Sequence, residues 1–229
     1  MSKFICGKNS VVDAIKNNFK ITKIFSIKPL NFDSKNIEIE IVDKNFLDKL
    51  TSLNHQGIVA IIDDNYSYYD FGRTIKDKPN IILILDHIED VHNLGAILRT
   101  ANAAGIKHIV IPDKRCAQIN DAVLKISSGG FIDLKVSKVP SLQPIIEKLK
   151  RNNYWIYTTA LNEKSIDYSI VNYNFPLALV VGNEAKGVSK TIINASDQLI
   201  KIPMYGTVQS LNVSVSTGIF LFEIIKKIE

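Results

Sequence analysis

Ile81-Ile82-Leu83-Ile84-Leu85-Asp86 is an uninterrupted apolar run closed by a carboxylate. A strand with one face in water alternates apolar and polar residues, whereas a continuous apolar run suits a strand covered on both faces, as in a parallel sheet. A new domain therefore opens at this run. Downstream of it, apolar runs and helix-period segments alternate. Helices are predicted near 94–104 and 120–127, over 142–151 and over 213–228; strands are predicted at 108–111, 154–159, 177–181 and 200–202. Such alternation implies a doubly wound parallel α/β sheet, whose ligand sites lie at the carboxyl ends of the strands.

Upstream, residues 7–62 read as a small α/β unit of their own. Ser10 followed by Asp13 resembles a capping box, and Val11, Val12, Ile15 and Phe19 then recur at helical spacing. Short apolar runs at 24–27 and 37–42 precede a predicted helix over 45–53 and a strand over 58–62. Residues 63–80 are rich in Asp, Tyr, Lys and Gly, lack clean periodicity and end in Lys78-Pro79-Asn80. The expected organisation is an N-terminal domain over 1–65, a linker over 66–79 and the parallel-sheet domain over 80–229.

The 229 residues are 46% apolar and 22% charged, ordinary values for a folded chain. No basic segment leads into an apolar run at the N-terminus, and no stretch of roughly 18 uncharged apolar residues occurs, so a cytoplasmic protein without a membrane anchor is expected. Cys6 and Cys116 are far apart and read as partly buried thiols. His55, His87, His92 and His108 form no i, i+4 pair with a carboxylate, so no metal is expected. A net charge of +5 fits a partner carrying phosphates, because Lys and Arg release the counterions of a nucleic acid.

Three segments at predicted strand ends carry candidate chemistry. In residues 86–105, DHIEDVHNLGAILRTANAAG, Asn93 is placed to cap a helix, Gly95 and Ala96 permit close approach, and Arg99 lies six positions on. That distance puts Arg99 between one and two turns into the helix, within reach of the same cleft. In residues 180–189, VVGNEAKGVS, the glycines are spaced as in a phosphate loop, but Val188 stands where that loop needs Lys. A strand end, a turn at Gly182 and the carboxylate of Glu184 remain. Residues 202–216, IPMYGTVQSLNVSVS, run from a strand through a turn at Gly206 into a small-polar cluster that opens the last helix. No G-x-G-x-x-G occurs, which argues against a dinucleotide-binding oxidoreductase.

Taken in order, these segments resemble the three motifs of the SpoU (TrmH) class of RNA 2′-O-ribose methyltransferases, in the SPOUT superfamily. N-x-G-x-x-x-R-T is matched by Asn93, Gly95, Arg99 and Thr100, G-N-E-x-x-G by Gly182, Asn183, Glu184 and Gly187, and I-P-M-x-G-x-x-x-S-L-N by residues 202–212. Residues 7–12, 55–60 and 125–130 are similar to the rRNA guanosine-2′-O-methyltransferase branch, whose substrate-binding domain is ribosomal-protein-L30e-like. Val91, Gly130 and Ser216 depart from it, standing where Pro, Ala and Ala are usual.

The resemblance implies a C-terminal trefoil knot and S-adenosyl-L-methionine (SAM) as cofactor near Gly182, Ile202, Met204 and Leu211. It implies Arg99 as the residue that activates the ribose hydroxyl, with Asn93, Glu184, Ser210 and Asn212 ordering the site. The expected substrate is large-subunit ribosomal RNA or a pre-ribosomal particle, with a guanosine as target. The alternatives are a tRNA ribose methyltransferase and a catalytically silent RNA-binding module. A homodimer is expected from the last helix, where Val213, Val215, Ile219, Phe220, Leu221, Phe222, Ile224, Ile225 and Ile228 exceed one core-facing stripe, an excess that suits either deeper core or a partner interface.

Overall fold

The computed structural model describes residues 3–16, 19–31, 37–62, 68–183 and 186–228. The first unit runs β1 (Lys3–Cys6), α1 (Lys8–Lys16), β2 (Ile21–Ser26), β3 (Glu38–Ile41), α2 (Lys44–Leu50) and β4 (Ile58–Ile62). Its sheet has the order β1-β4-β2-β3, with β4 antiparallel to both neighbours and β3 parallel to β2. Helix α1 starts earlier than the expected capping box. Gly7, at φ +94°, turns the chain directly out of β1, and its carbonyl accepts from Val11 N–H at 3.1 Å, so Ser10 lies inside the helix.

The segment expected as a linker carries a helix, α3 (Phe71–Asp77). Asp70 caps it, accepting from Arg73 N–H at 3.0 Å, and Phe71 is buried in the second core. Two turns with only Phe71 and Thr74 buried leave no legible period, which is why the sequence conceals it.

The second unit continues through β5 (Ile81–Asp86), α4 (Val91–Ala103), β6 (His108–Pro112), α5 (Asp121–Ile126), β7 (Lys135–Val139) and α6 (Gln143–Arg151). It ends with β8 (Trp155–Thr159), β9 (Ile166–Asp167), β10 (Leu177–Gly182), α7 (Lys190–Ala195), β11 (Gln198–Lys201) and α8 (Val213–Lys226). The seven-stranded sheet has the order β7-β6-β5-β10-β8-β11-β9, and its pairings are parallel. Central β5 and β10 are buried along their whole length, which accounts for their unbroken apolar character.

Within those strands alternate residues go to opposite faces. Leu83, Leu85, Leu179 and Val181 pack with α4, α5 and α8 residues; Ile82, Ile84, Ala178 and Val180 pack with those of α6 and α7. Each fully buried Leu or Ile there contributes about 1.5–3 kcal/mol. The first of these cores runs on into the N-terminal unit through Ile5, Val11 and Ile24.

At that junction Lys125 Nζ is sealed from solvent without a hydrogen-bond partner among the described residues, and burial lowers its pKa. Lys125→Met is expected to stabilise the protein by about 1–3 kcal/mol, because an unpaired buried cation is removed. In the wild type the unfolded chain keeps this proton to higher pH. Stability should therefore rise with pH between the lowered folded pKa and the ordinary lysine value, and urea melts of Lys125→Met should lose that rise.

Candidate active site

Strands β5 and β10 end side by side, with Asp86 opposite Gly182. A β-carbon on Gly182 would stand 2.3 Å from Gly187 C and Val188 N, so the loop after β10 folds back flush against its own strand end. The turn closes by a bond from Gly187 N–H to the Asn183 carbonyl at 2.8 Å, with Gly187 at φ +66°. Buried Asp86 joins the two motif loops: its Oδ2 accepts from Ser189 N–H at 2.8 Å and its Oδ1 faces His87 Nδ1. Asn183 Nδ2 donates to the His87 carbonyl at 3.0 Å, adding a second tie. Sequence reading gave Asp86 no role. The available signal was a carboxylate ending a wholly apolar strand, which must be buried and therefore needs donors.

A cavity of about 540 Å³ opens at the carboxyl ends of β8, β10 and β11. Gly182, Ile202, Met204 and Leu211, the four expected cofactor residues, line it together with Ser210. Thr159 to Asn162 and Phe220 complete the wall. The segment after β8 carries no motif, and its place here follows from strand order, which sequence does not reveal. Volume and a mixed apolar and polar lining suit a small organic cofactor. A second hollow, of about 510 Å³, lies by Asn80, Gly105 and His108 and is lined by none of the candidate catalytic or cofactor residues.

The polar rim lies on α4 and at the start of α8. Asn212 Nδ2 donates to Asn93 Oδ1 at 2.9 Å, and Asn212 Oδ1 caps α8 by accepting from Ser214 N–H at 2.9 Å. Asn93 is not the cap of α4. Asp90 fills that position, accepting from His92 N–H at 2.7 Å and Asn93 N–H at 2.9 Å, because the chain enters the helix three residues earlier than expected. Asn93 thus sits in the first turn and pairs across to α8. Arg99 is exposed on the same helix, with no hydrogen-bond or ion-pair partner among the described residues. Asn93, Arg99 and Asn212 stand outside the cavity lining, although Asn212 is flanked by Leu211 and Val213, which belong to it. Glu184 lies outside the described residues.

Burial raises the pKa of both cysteines, that of Cys116 to about 12, so at neutral pH they are thiols rather than nucleophiles. Among the described residues there is no group of three or more His, Cys, Asp or Glu that could hold a metal ion, and no helix long and apolar enough to cross a membrane.

Fold and site together define an α/β protein with a cavity at the ends of parallel strands and, on a neighbouring helix, an exposed arginine without a counter-ion among the described residues. Residues 80–222 match the model of the SpoU rRNA Methylase family, and residues 4–68 match that of the RNA 2′-O ribose methyltransferase substrate-binding domain. The chain belongs to the SpoU rRNA Methylase family and is an RNA methyltransferase of the TrmH/SpoU type.

A protein of Staphylococcus saprophyticus named for the TrmH family of tRNA/rRNA methyltransferases is 37% identical, over 97% of this chain and 95% of its own length. Among solved structures, the AdoMet-bound rRNA methyltransferase of Sinorhizobium meliloti is similar over 100% of this chain and 88% of that one, with a TM-score of 0.78 and 23% identity. The TrmH/SpoU tRNA-modifying enzyme of A. aeolicus is similar over 68% of this chain and 83% of that one, with a TM-score of 0.60 and 33% identity.

Proposed function

We propose that this enzyme transfers a methyl group from SAM to the ribose 2′-hydroxyl of a nucleotide in 23S ribosomal RNA, with a guanosine as the target. The observation that carries this reading is the convergence of three motifs: one cavity gathers Gly182, Ile202, Met204 and Leu211, and its rim leads through Asn212 and Asn93 to the helix bearing Arg99. The lining fits SAM in chemistry: apolar Ile202, Leu211 and Phe220 would supply a dry slot for the adenine, and main chain at Gly182 would supply hydrogen-bonding groups. Bound there, SAM supplies an electrophilic methyl on a sulfonium.

The chain's own residues must then position the ribose and stabilise charge. A guanidinium stays protonated, so Arg99 serves the developing alkoxide and the neighbouring phosphate, and the hydroxyl's proton leaves to water. Asn93 and Asn212 hold α4 and α8 in register around the site. Ser210 and Glu184 are assigned to ordering ribose and cofactor loop, and the C-terminal part of the chain is assigned the trefoil knot.

Residues 1–65 are assigned to RNA binding and target choice, and residues 80–229 to SAM and catalysis. An rRNA target is favoured over tRNA because the rRNA methyltransferase of S. meliloti is similar over 100% of this chain, against 68% for the tRNA-modifying enzyme. Both RNAs place the work in the cytoplasm. Mass-spectrometric mapping of ribose methylation in rRNA and tRNA, from cells with and without the gene, tests this reading. Loss of one 23S rRNA mark is expected; loss of a tRNA mark alone would move the assignment to tRNA, and no loss would favour a silent RNA-binding module. Purified enzyme should methylate the mapped fragment from SAM at a rate unchanged by EDTA.

A homodimer through α8 is part of this proposal. The helix buries Val213, Thr217, Phe220, Leu221 and Ile224, while Val215 and Phe222, seven residues apart on another face, stay 52% and 53% exposed. Light scattering at micromolar concentration should report twice the chain mass, and Phe222→Glu should return it to one.

A further inference from the structure

Strand β6 lies beside β5 and runs parallel to it, so the turn that follows it, residues 113–116, leaves the same edge of the sheet as the loop that leads into α4. Main chain joins the two. Ala117 N–H donates to the carbonyl of buried Ile88 at 2.8 Å, and Ile88 stands two residues before Asp90, the cap of α4. Side chains then close the turn. Gln118 Nε2 donates to the Cys116 carbonyl at 3.1 Å and to that of Asp113 at 3.5 Å. The Tyr68 hydroxyl donates to Gln118 Oε1 at 3.2 Å and accepts from Ile119 N–H at 3.1 Å. The turn is thus braced from within and from the segment that precedes α3.

What this frame displays is Lys114 and Arg115. Both side chains are exposed, and neither makes a hydrogen bond or an ion pair among the described residues. Carboxylates are at hand, Asp113 in the turn and Glu89 and Asp90 in the loop tied to it, yet none pairs with either cation. Arg115 also holds φ at +50°, the left-handed region that is unfavourable for a residue with a β-carbon and that Asn or Asp would tolerate better. Strain of this kind persists only where surrounding bonds fix it, and it gathers at ligand-contacting segments. The two side chains add no bond to the fold, so their charge is presented to something outside the chain.

We infer that Lys114 and Arg115 bind backbone phosphates of the substrate RNA next to the target nucleotide, and so hold the RNA along the β5–β6 side of the site. This rests on the RNA substrate and the site proposed above; it needs neither the identity of the target nucleotide nor the role of Arg99. A guanidinium fork and an ammonium both suit phosphate oxygens. Neither residue lines the cavity, so the contact is with RNA and not with the cofactor.

The test uses full-length protein and RNA extracted from cells lacking the gene, which holds the unmodified target whether that lies in rRNA or in tRNA. With Lys114→Ala and Arg115→Ala combined, KM for that RNA should rise about tenfold or more, while the rate at saturating RNA and the affinity for SAM stay within about twofold. Binding of the same RNA should depend less steeply on salt, the slope of log affinity against log salt falling by about 1.4 for two single-strand phosphates. Arg115→Lys keeps the charge and should retain most of the affinity. Arg115→Gly removes the charge and relieves the backbone, so it should lose affinity with a Tm no lower than that of the wild type. Arg151→Ala is the control, since Arg151 ends α6 at the amino ends of the strands and pairs with Glu147 at 3.5 Å. Its KM and salt slope should match the wild type.

Unchanged KM and salt slope in the combined variant would overturn the inference. An equal loss in Arg151→Ala would do the same, by making the effect one of overall charge. So would a lowered saturating rate at unchanged KM, which would place the turn in the chemical step. If the wild type marks neither rRNA nor tRNA, the proposed function is what fails, and the salt slopes alone decide this inference.

Discussion

Arg99→Ala is expected to lower methyl transfer by about 10²-fold or more while SAM affinity changes little. The side chain is exposed, has no hydrogen-bond or ion-pair partner among the described residues and lies outside the cavity, so its removal should leave the cofactor site intact. Under the proposed function, what is lost is a fixed charge assigned to the position where negative charge develops on the ribose oxygen. Arg99→Lys should recover only part of the rate, because an ammonium cannot present the planar fork that bridges a ribose oxygen and a phosphate. The wild-type rate should climb with pH as the hydroxyl itself ionises, with no plateau assignable to the guanidinium. A new, lower inflection in Arg99→Lys at near-full activity would instead make residue 99 a base. Single-turnover rates with labelled SAM, with calorimetry for affinity, separate these outcomes.

Gly182→Ala is expected to abolish SAM binding at concentrations that saturate the wild type. A β-carbon there would lie 2.3 Å from both Gly187 C and Val188 N, main-chain atoms that no rotamer can move. Relief requires the turn at 183–187 to lift from the end of β10. That shift would disturb the bond from Asn183 to the His87 carbonyl and the one from Ser189 to Asp86, which join the first two motif loops. Overpacking of this kind costs about 1–3 kcal/mol in stability, so a lower Tm should accompany the lost affinity. Gly206→Ala is the control, since a β-carbon there meets nothing within 4 Å. Equal SAM affinities for Gly182→Ala and wild type would show that the turn does not shape the cofactor site.

Much of the architecture was legible in the chain. The apolar runs at 81–86 and 177–181 marked the two central strands; the first is observed over the expected span, Ile81–Asp86, and the second runs one residue further, Leu177–Gly182. Long periodic helices such as α8 were equally plain. The elements missed are short or lightly buried: α3 buries only Phe71 and Thr74, α7 only Ile192, β9 has two residues, and β7 places Lys138 among buried neighbours. A pattern needs several repeats before its period can be read, and these elements supply too few.

The candidate site divides along the same line. Sequence alone picked out the residues proposed to carry chemistry, because the glycine turns, the arginine and the loop before α8 stand in ordered motifs within the chain. Tertiary structure decided which of them meet. The bond between Asn93 and Asn212 spans 119 positions, and the bond from Ser189 to Asp86 spans 103. Both exist because β5 and β10, distant in the chain, are neighbours in the sheet, and α4 and α8 pack on its one face. The same packing gave the cap of α4 to Asp90 and turned Asn93 toward α8. It also brought Gly130 against the backbone of Arg99, a contact between a turn and a helix that no local pattern encodes, since close approach depends on the shape of both surfaces and not on the spacing of either.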